Sequence, residues 1–207
     1  YGREYSEFQY SQKIYNYFIH PQWDNFGSPT LYMKILFADY EEGFAVMELI
    51  GEWNDAVTND IMFLKRDVMD VLAQHGVSKF ILVCENVLNF HGSDDCYYEE
   101  WQEDANDEKG WICFINLLQH VQTEMEETQI QFYVNLGKHF NDVIWRPLAP
   151  KVLYKIIENL INIDCLIIDN YQNNIDERLF YSILNQSKQL DSFVVVNSIP
   201  SLKELNF

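Results

Sequence analysis

Lys79-Phe80-Ile81-Leu82-Val83-Cys84 is a nearly continuous apolar run, and no other segment constrains this chain as much. A strand without polar alternation is buried on both faces, which an α/β domain achieves by setting it inside a parallel sheet layered with helices. The flanking segments agree. Residues 31–38 and 44–50 read as two strands joined by Asp39-Tyr40-Glu41-Glu42-Gly43, a linker of hairpin length. Gly51-Glu52-Trp53-Asn54-Asp55 closes the second strand, and Thr58 or Asn59 caps a helix. Its apolar stripe is Ile61, Phe63, Leu64, Val68, Val71 and Leu72, with His75-Gly76 as the stop.

Beyond the apolar run, Trp111, Ile112, Phe114, Ile115, Leu117, Leu118 and Val121 predict a second amphipathic helix, and residues 130–136 a further strand ended by Gly137. Pro147 and Pro150 bracket the start of a third helix with Val152, Leu153, Ile156, Ile157, Leu160 and Ile161 on its apolar face. Residues 165–168 read as a short buried strand, 176–187 as a helix and 193–196 as a last strand. The order β-β-α-β-α-β-α-β-α-β implies an α/β fold, with a mixed, mostly parallel sheet and helices packed on it. Residues 1–30 form an aromatic N-terminal arm, with Tyr5, Phe8, Tyr10, Tyr15, Tyr17, Phe18, Trp23 and Phe26. Such an arm packs on the body as a capping extension or serves as a homodimer contact. Residues 31–207 read as one α/β domain.

Charge narrows the partners. Thirty-two acids against 14 bases give a net charge of −18, so the chain lacks the cations that nucleic acid or an anionic membrane requires. No apolar run approaches the roughly 20 residues of a membrane span. Cys84, Cys96, Cys113 and Cys165 have no C-x-x-C spacing and read as free thiols of a reducing, cytoplasmic protein.

Two segments resemble the STAS domain, the fold of bacterial anti-sigma-factor antagonists. Gly51-Glu52-Trp53-Asn54-Asp55-Ala56-Val57-Thr58 is similar to that family's segment after its second strand. Leu88-Asn89-Phe90-His91-Gly92-Ser93-Asp94-Asp95 stands where the family carries the loop from its third strand to its second helix, with a phosphoacceptor Ser or Thr. The resemblance covers about residues 31–170 and leaves 171–207 as an added helix and strand. It implies a non-enzymatic regulatory domain that binds a protein partner at this loop, with Ser93 near the phosphoacceptor position. Asp94 and Asp95 replace the second hydroxyl and the glycine of the family motif and can supply fixed negative charge in place of a phosphoryl group.

The residues themselves leave three readings open. As a partner surface, the loop and following segment offer Ser93, Asp94, Asp95, Tyr97, Tyr98, Glu99 and Trp101, acids and aromatics suited to a basic protein. As a ligand site, Glu85, Asn86 and His91 at the end of the strand, with Asp94, Asp95, Lys138 and His139 at the same sheet edge, suit a divalent ion or an acid and base pair. The third reading is a structural homo-oligomer subunit. No metal motif, phosphate loop or hydrolase elbow is present, and the chain has eight glycines. These features favour binding over catalysis and imply no cofactor.

Overall fold

The computed structural model describes Phe8, Tyr10 and residues 12–14 and 17–173. Two units are distinguished, Tyr1–Val143 and Ile144–Phe207, and each is described by itself. The expected helix 176–187 and strand 193–196, with Tyr5 and Tyr15 of the arm, lie outside the described residues.

The first unit is built on a four-stranded mixed sheet. A short hairpin of β1 (Gln12–Ile14) and β2 (Tyr17–Ile19) precedes it, and the sheet runs β3 (Leu31–Asp39), β4 (Phe44–Asn54), β5 (Lys79–His91) and β6 (Trp111–Ile115) in spatial order. β3 and β4 are antiparallel, as the hairpin linker requires, while β4–β5 and β5–β6 are parallel. The apolar run lies where its composition places it: Phe80, Ile81, Leu82 and Val83 are buried between β4 and β6, and Cys84 is buried directly after them. The α/β class with a mostly parallel mixed sheet is therefore the architecture of this unit.

The helices are α1 (Asp55–Thr58), α2 (Asp60–Leu64), α3 (Asp70–Ala73), α4 (Cys96–Asp107) and α5 (Gln119–Glu127), with a π-helical turn at Lys65–Met69 joining α2 to α3. An extra short helix, α1, is capped by Asn54, whose Oδ1 accepts from Val57 N. Asn59 stands at the N-cap of α2, one of the two expected positions, in a left-handed conformation and without a side-chain cap hydrogen bond. One sheet face packs with these helices into the main core around Met47, Trp53, Phe80, Leu82, Phe90 and Phe114. On the other face Ile14 and Ile19 of the small hairpin pack with Tyr32, and the Tyr32 hydroxyl donates to Lys13 O at 3.1 Å.

Three expected elements differ. Residues 111–115 are strand β6 and not the start of a helix, because the unbroken apolar run satisfies helical and extended spacing alike. The helix of this region is α5, which begins four residues later. Residues 130–136 form a 3-10 turn (Ile130–Phe132) and touch the sheet through one bridge, Asn135 to Cys113. Residues 165–168 belong to α6 (Pro150–Asn173), the long helix of the second unit, whose sequence holds no glycine or proline between 151 and 173 to end it. In that helix Leu153, Tyr154, Ile157 and Ile161 are buried at helical spacing. No helix among the described residues is long and apolar enough to cross a membrane.

Gly51 is where β3 starts against β4. Its φ is +122°, and a Cβ there would lie 2.0 Å from Thr30 O. That oxygen accepts from Glu52 N, while Thr30 Oγ1 donates to Glu52 O, both at 3.0 Å. Gly51→Ala is expected to lower unfolding stability by more than about 2 kcal/mol in urea titration, through backbone strain and loss of this pairing. An unchanged midpoint would show that the strand backbone relaxes freely there.

Candidate functional site

The sequence places the chemistry of this chain at the carboxyl end of β5, and the length of β5 decides what that means. The strand does not stop at Cys84 but continues to His91. Its polar residues stay extended because β4 supplies partners: Asn86 Nδ2 donates to Glu48 Oε1 at 3.1 Å and Asn89 Nδ2 to Glu52 Oε1 at 2.9 Å. Glu85 and His91 are therefore separated by six residues of strand, roughly 20 Å. The expected folding back of a loop over the strand does not occur. Lys138 and His139 lie in a 3-10 turn (Lys138–Asp142) whose Phe140 O accepts from Asn116 N, at the end of β6. Ile115, the last residue of β6, pairs with Val83, so this turn is also far along the sheet from His91. Glu85, Asn86, His91, Lys138 and His139 do not form one cluster, and no group of three or more metal-ligating side chains occurs among the described residues.

What gathers at this edge is the connection from β5 to α4. Gly92 sits against α5, where a Cβ would come within 2.3 Å of Thr128 Cγ2. Three residues on, Asp95 Oδ2 accepts from the Tyr133 hydroxyl at 2.9 Å, which raises the Tyr133 pKa. The connection is thus fixed at both ends, and Ser93 and Asp94 between them are exposed. The Cys96 thiol donates to Asp94 Oδ1 at 2.8 Å, and this carboxylate pushes its pKa up to about 11. Burial pushes the Cys84 thiol up as well. Neither sulfur is poised as a thiolate nucleophile.

The expected partner residues divide by helix face. Ser93, Asp94 and Glu99 are exposed, while Asp95 and Tyr97 are half-buried, with Arg66 Cζ 5.9 Å from the Tyr97 ring centroid. Tyr98 and Trp101 are 0% and 2% exposed and belong to the core, so their rings cannot meet a partner. They anchor the helix instead. Trp101 packs edge-on to Phe80, and Tyr98 stacks on Trp53.

Beneath this edge lie three buried ionisable residues that composition does not single out. Asp55 Oδ1 accepts from Trp53 Nε1 at 2.9 Å and Ile61 N at 2.8 Å, and Oδ2 accepts from the Tyr98 hydroxyl at 2.7 Å. Neighbouring Asp60 accepts from Asn54 N and Thr58 Oγ1 at 2.8 and 2.7 Å. Lys65, 1% exposed, donates to Asp70 Oδ1 and Asp104 Oδ2 at 2.7 Å each, with Glu100 Oε1 at 3.2 Å. Burial works against its charge, but the bonds to Asp104 and Asp70 outweigh it and hold the ammonium pKa above its ordinary value. The signal for Lys65 was its place in the stripe Ile61, Lys65, Val68, Leu72, a core position occupied by a base.

No protein-family model matches this chain, and no curated protein matches it. Among solved structures the chain is similar to one from Thermotoga maritima, provisionally described as an anti-sigma factor antagonist. The identity is 11%, over 50% of this chain and 83% of that one, with a TM-score of 0.36. No residue role is carried across from it.

Burial raises the Asp55 pKa from 3.8 to about 6, more than its three donors lower it. A folded state that binds this proton more tightly than the unfolded chain gains stability as pH falls from about 6 towards 4, by up to about 3 kcal/mol, and forgoes it at neutral pH. The difference between wild-type and Asp55→Asn unfolding free energies, measured from pH 4 to 8, is expected to change by about that amount across this window. A difference independent of pH would mean that Asp55 is not the group that titrates.

Proposed function

We propose that this chain is a non-enzymatic regulatory domain that binds a basic protein partner through the exposed side of the β5–α4 connection, residues 89–101. The observation that carries the reading is the pinned, outward display of Ser93 and Asp94 between Gly92, held against Thr128, and Asp95, held by Tyr133, with Glu99 exposed one turn further on α4. A preorganised loop loses little conformational entropy on docking. Glu103, one turn after Glu99 and also exposed, extends the acidic strip along α4. Carboxylates placed so are suited to steering a basic surface and fixing its register. The resemblance of the 88–95 segment to the STAS loop supports the same edge, with Asp94 as a standing negative charge beside Ser93.

Affinity capture from cells of the source organism with wild-type protein and with the double variant Asp94→Lys, Glu99→Lys tests this reading. The variant is expected to lose proteins that the wild type retains, with the affinity of the recovered partner down by about tenfold or more at low salt. Equal recovery by both would refute the surface. Thermal melts with Mg²⁺, Ca²⁺, Mn²⁺ and Zn²⁺ address the competing ligand-site reading, because an ion at 100 times its dissociation constant adds about 2.7 kcal/mol of stability. No upward shift is expected with any of them.

A further inference from the structure

A second surface lies at the outer edge of β3. β3 is the terminal strand of the sheet, and its outer side is met among the described residues by one isolated bridge, between Asp24 and Met33. In that bridge Asp24 N donates to Met33 O and Met33 N to Asp24 O. Met33 therefore turns its backbone groups outward, and by the alternation of an antiparallel strand so does Ile35. Leu36 is the extra residue of a bulge, since Ile35 pairs with Met47 and Phe37 with Val46. Past the bulge Ala38, opposite Ala45, is again an outward residue.

This edge opens onto a cleft of about 460 Å³ beneath the 24–27 segment and the helical run from α2 to α3. Its apolar wall includes Met33, Ile35, Phe63 and Val71, the last 46% exposed. Gly27, with φ +118°, sits so close to Phe63 that a Cβ would lie 2.7 Å from Cδ1, so the 24–27 segment packs directly on the Phe63 ring at the cleft wall. Asp24 and Asp67 are its charged members, and no Lys or Arg lines it. Glu41 and Glu42 follow at the end of the strand, on a chain of net charge −18.

We infer that this edge takes an extended peptide segment of a partner protein, which adds a strand to β3, drops alternate apolar side chains into the cleft and carries Lys or Arg at its ends. Backbone pairing with Ile35 and Ala38 supplies affinity, and the cleft selects side chains of one face of the incoming strand. The carboxylates select the sign of its flanks. They also oppose a second copy of this chain, which would bring its own Asp24, Asp67 and acidic surroundings to the same place. This surface shares no residue with the β5–α4 connection, so the two proposals stand or fall separately.

The test uses the full chain and a fluorescein-labelled peptide, Lys-Lys-Val-Thr-Val-Thr-Val-Lys-Lys, in anisotropy titration at low salt. Binding with a dissociation constant below about 1 mM is expected, weakened by about tenfold or more when the central valine is proline or the terminal lysines are glutamates. Val71→Lys and Asp67→Lys, both exposed and outside the core, are each expected to weaken it by about fivefold, with unchanged melting confirming that they fold. Hydrogen exchange at the Ile35 and Ala38 amides is expected to slow on binding. The inference is overturned by absence of binding at millimolar peptide. Binding indifferent to the proline peptide and to both variants overturns it too, as does a saturable doubling of mass in light scattering that Val71→Lys abolishes.

Discussion

One buried carboxyl group holds the carboxyl end of this sheet together. Asp55 follows β4 directly and meets three donors from three places: the indole of Trp53 in the strand, the backbone N–H of Ile61 in α2, and the hydroxyl of Tyr98 in α4. None of these donors can be satisfied by water, because Trp53, Ile61 and Tyr98 are at most 1% exposed. Each buried donor left without an acceptor costs about 1–3 kcal/mol, so the position of Asp55 fixes the positions of both helices relative to the strand. The connection between β5 and α4 inherits its geometry from this arrangement. Tyr98 is three residues from Asp95, and the first turn of α4 can occupy only the place that lets the hydroxyl reach Asp55.

The second determinant is the extra length of β5. A chain that turned away at Cys84 would bring Glu85, Asn86 and His91 into one loop, with room for an ion among them. The observed strand pulls them apart and assigns the amides to β4, Asn86 to Glu48 and Asn89 to Glu52. Pairing with β4 is therefore what removes these groups from chemistry and converts the edge into a surface. The same pairing carries Gly92 to Thr128 and so decides where Ser93 and Asp94 stand.

The parts of the fold legible in the sequence are those written in one segment at a time. The β3–β4 hairpin shows in its turn residues, and the central strand in its unbroken apolar run. The polar half of β5 does not show, because Asn86 and Asn89 look like loop residues until Glu48 and Glu52 are set opposite them on another strand. Helix α4 was obscured for a related reason. Its many acids mask the apolar period, yet Tyr98, Trp101 and Ala105 recur at helical spacing and are the three residues it buries. Residues 111–115 admit both periods, and only the vacancy beside β5 decides for a strand. Of the candidate surface, Ser93, Asp94 and Glu99 were legible as exposed polar groups, whereas the aromatic character of Tyr98 and Trp101 belonged to the core.

The acidity of α4 has two meanings, and the helix period separates them. Successive residues are about 100° apart around the axis, so Glu100 and Asp104 fall on one stripe while Glu99 and Glu103 fall on the next. The first stripe faces Lys65 and Arg66: Glu100 lies 3.2 Å from Lys65 Nζ and 2.8 Å from Arg66 Nη1, and Asp104 2.7 Å from Lys65 Nζ. Two of only 14 bases in the chain are committed there, which balances the inner stripe and ties α4 to the π-helical turn. The outer stripe, with Asp94, has no such concentration of bases before it among the described residues and is exposed. At physiological salt its field reaches about 8 Å, far enough to orient an approaching basic surface and too short to act across the domain. The composition of this segment therefore combines an internal clasp with a solvent-facing acidic stripe, the one proposed to meet a partner, and the side of the helix on which each carboxylate falls determines to which it belongs.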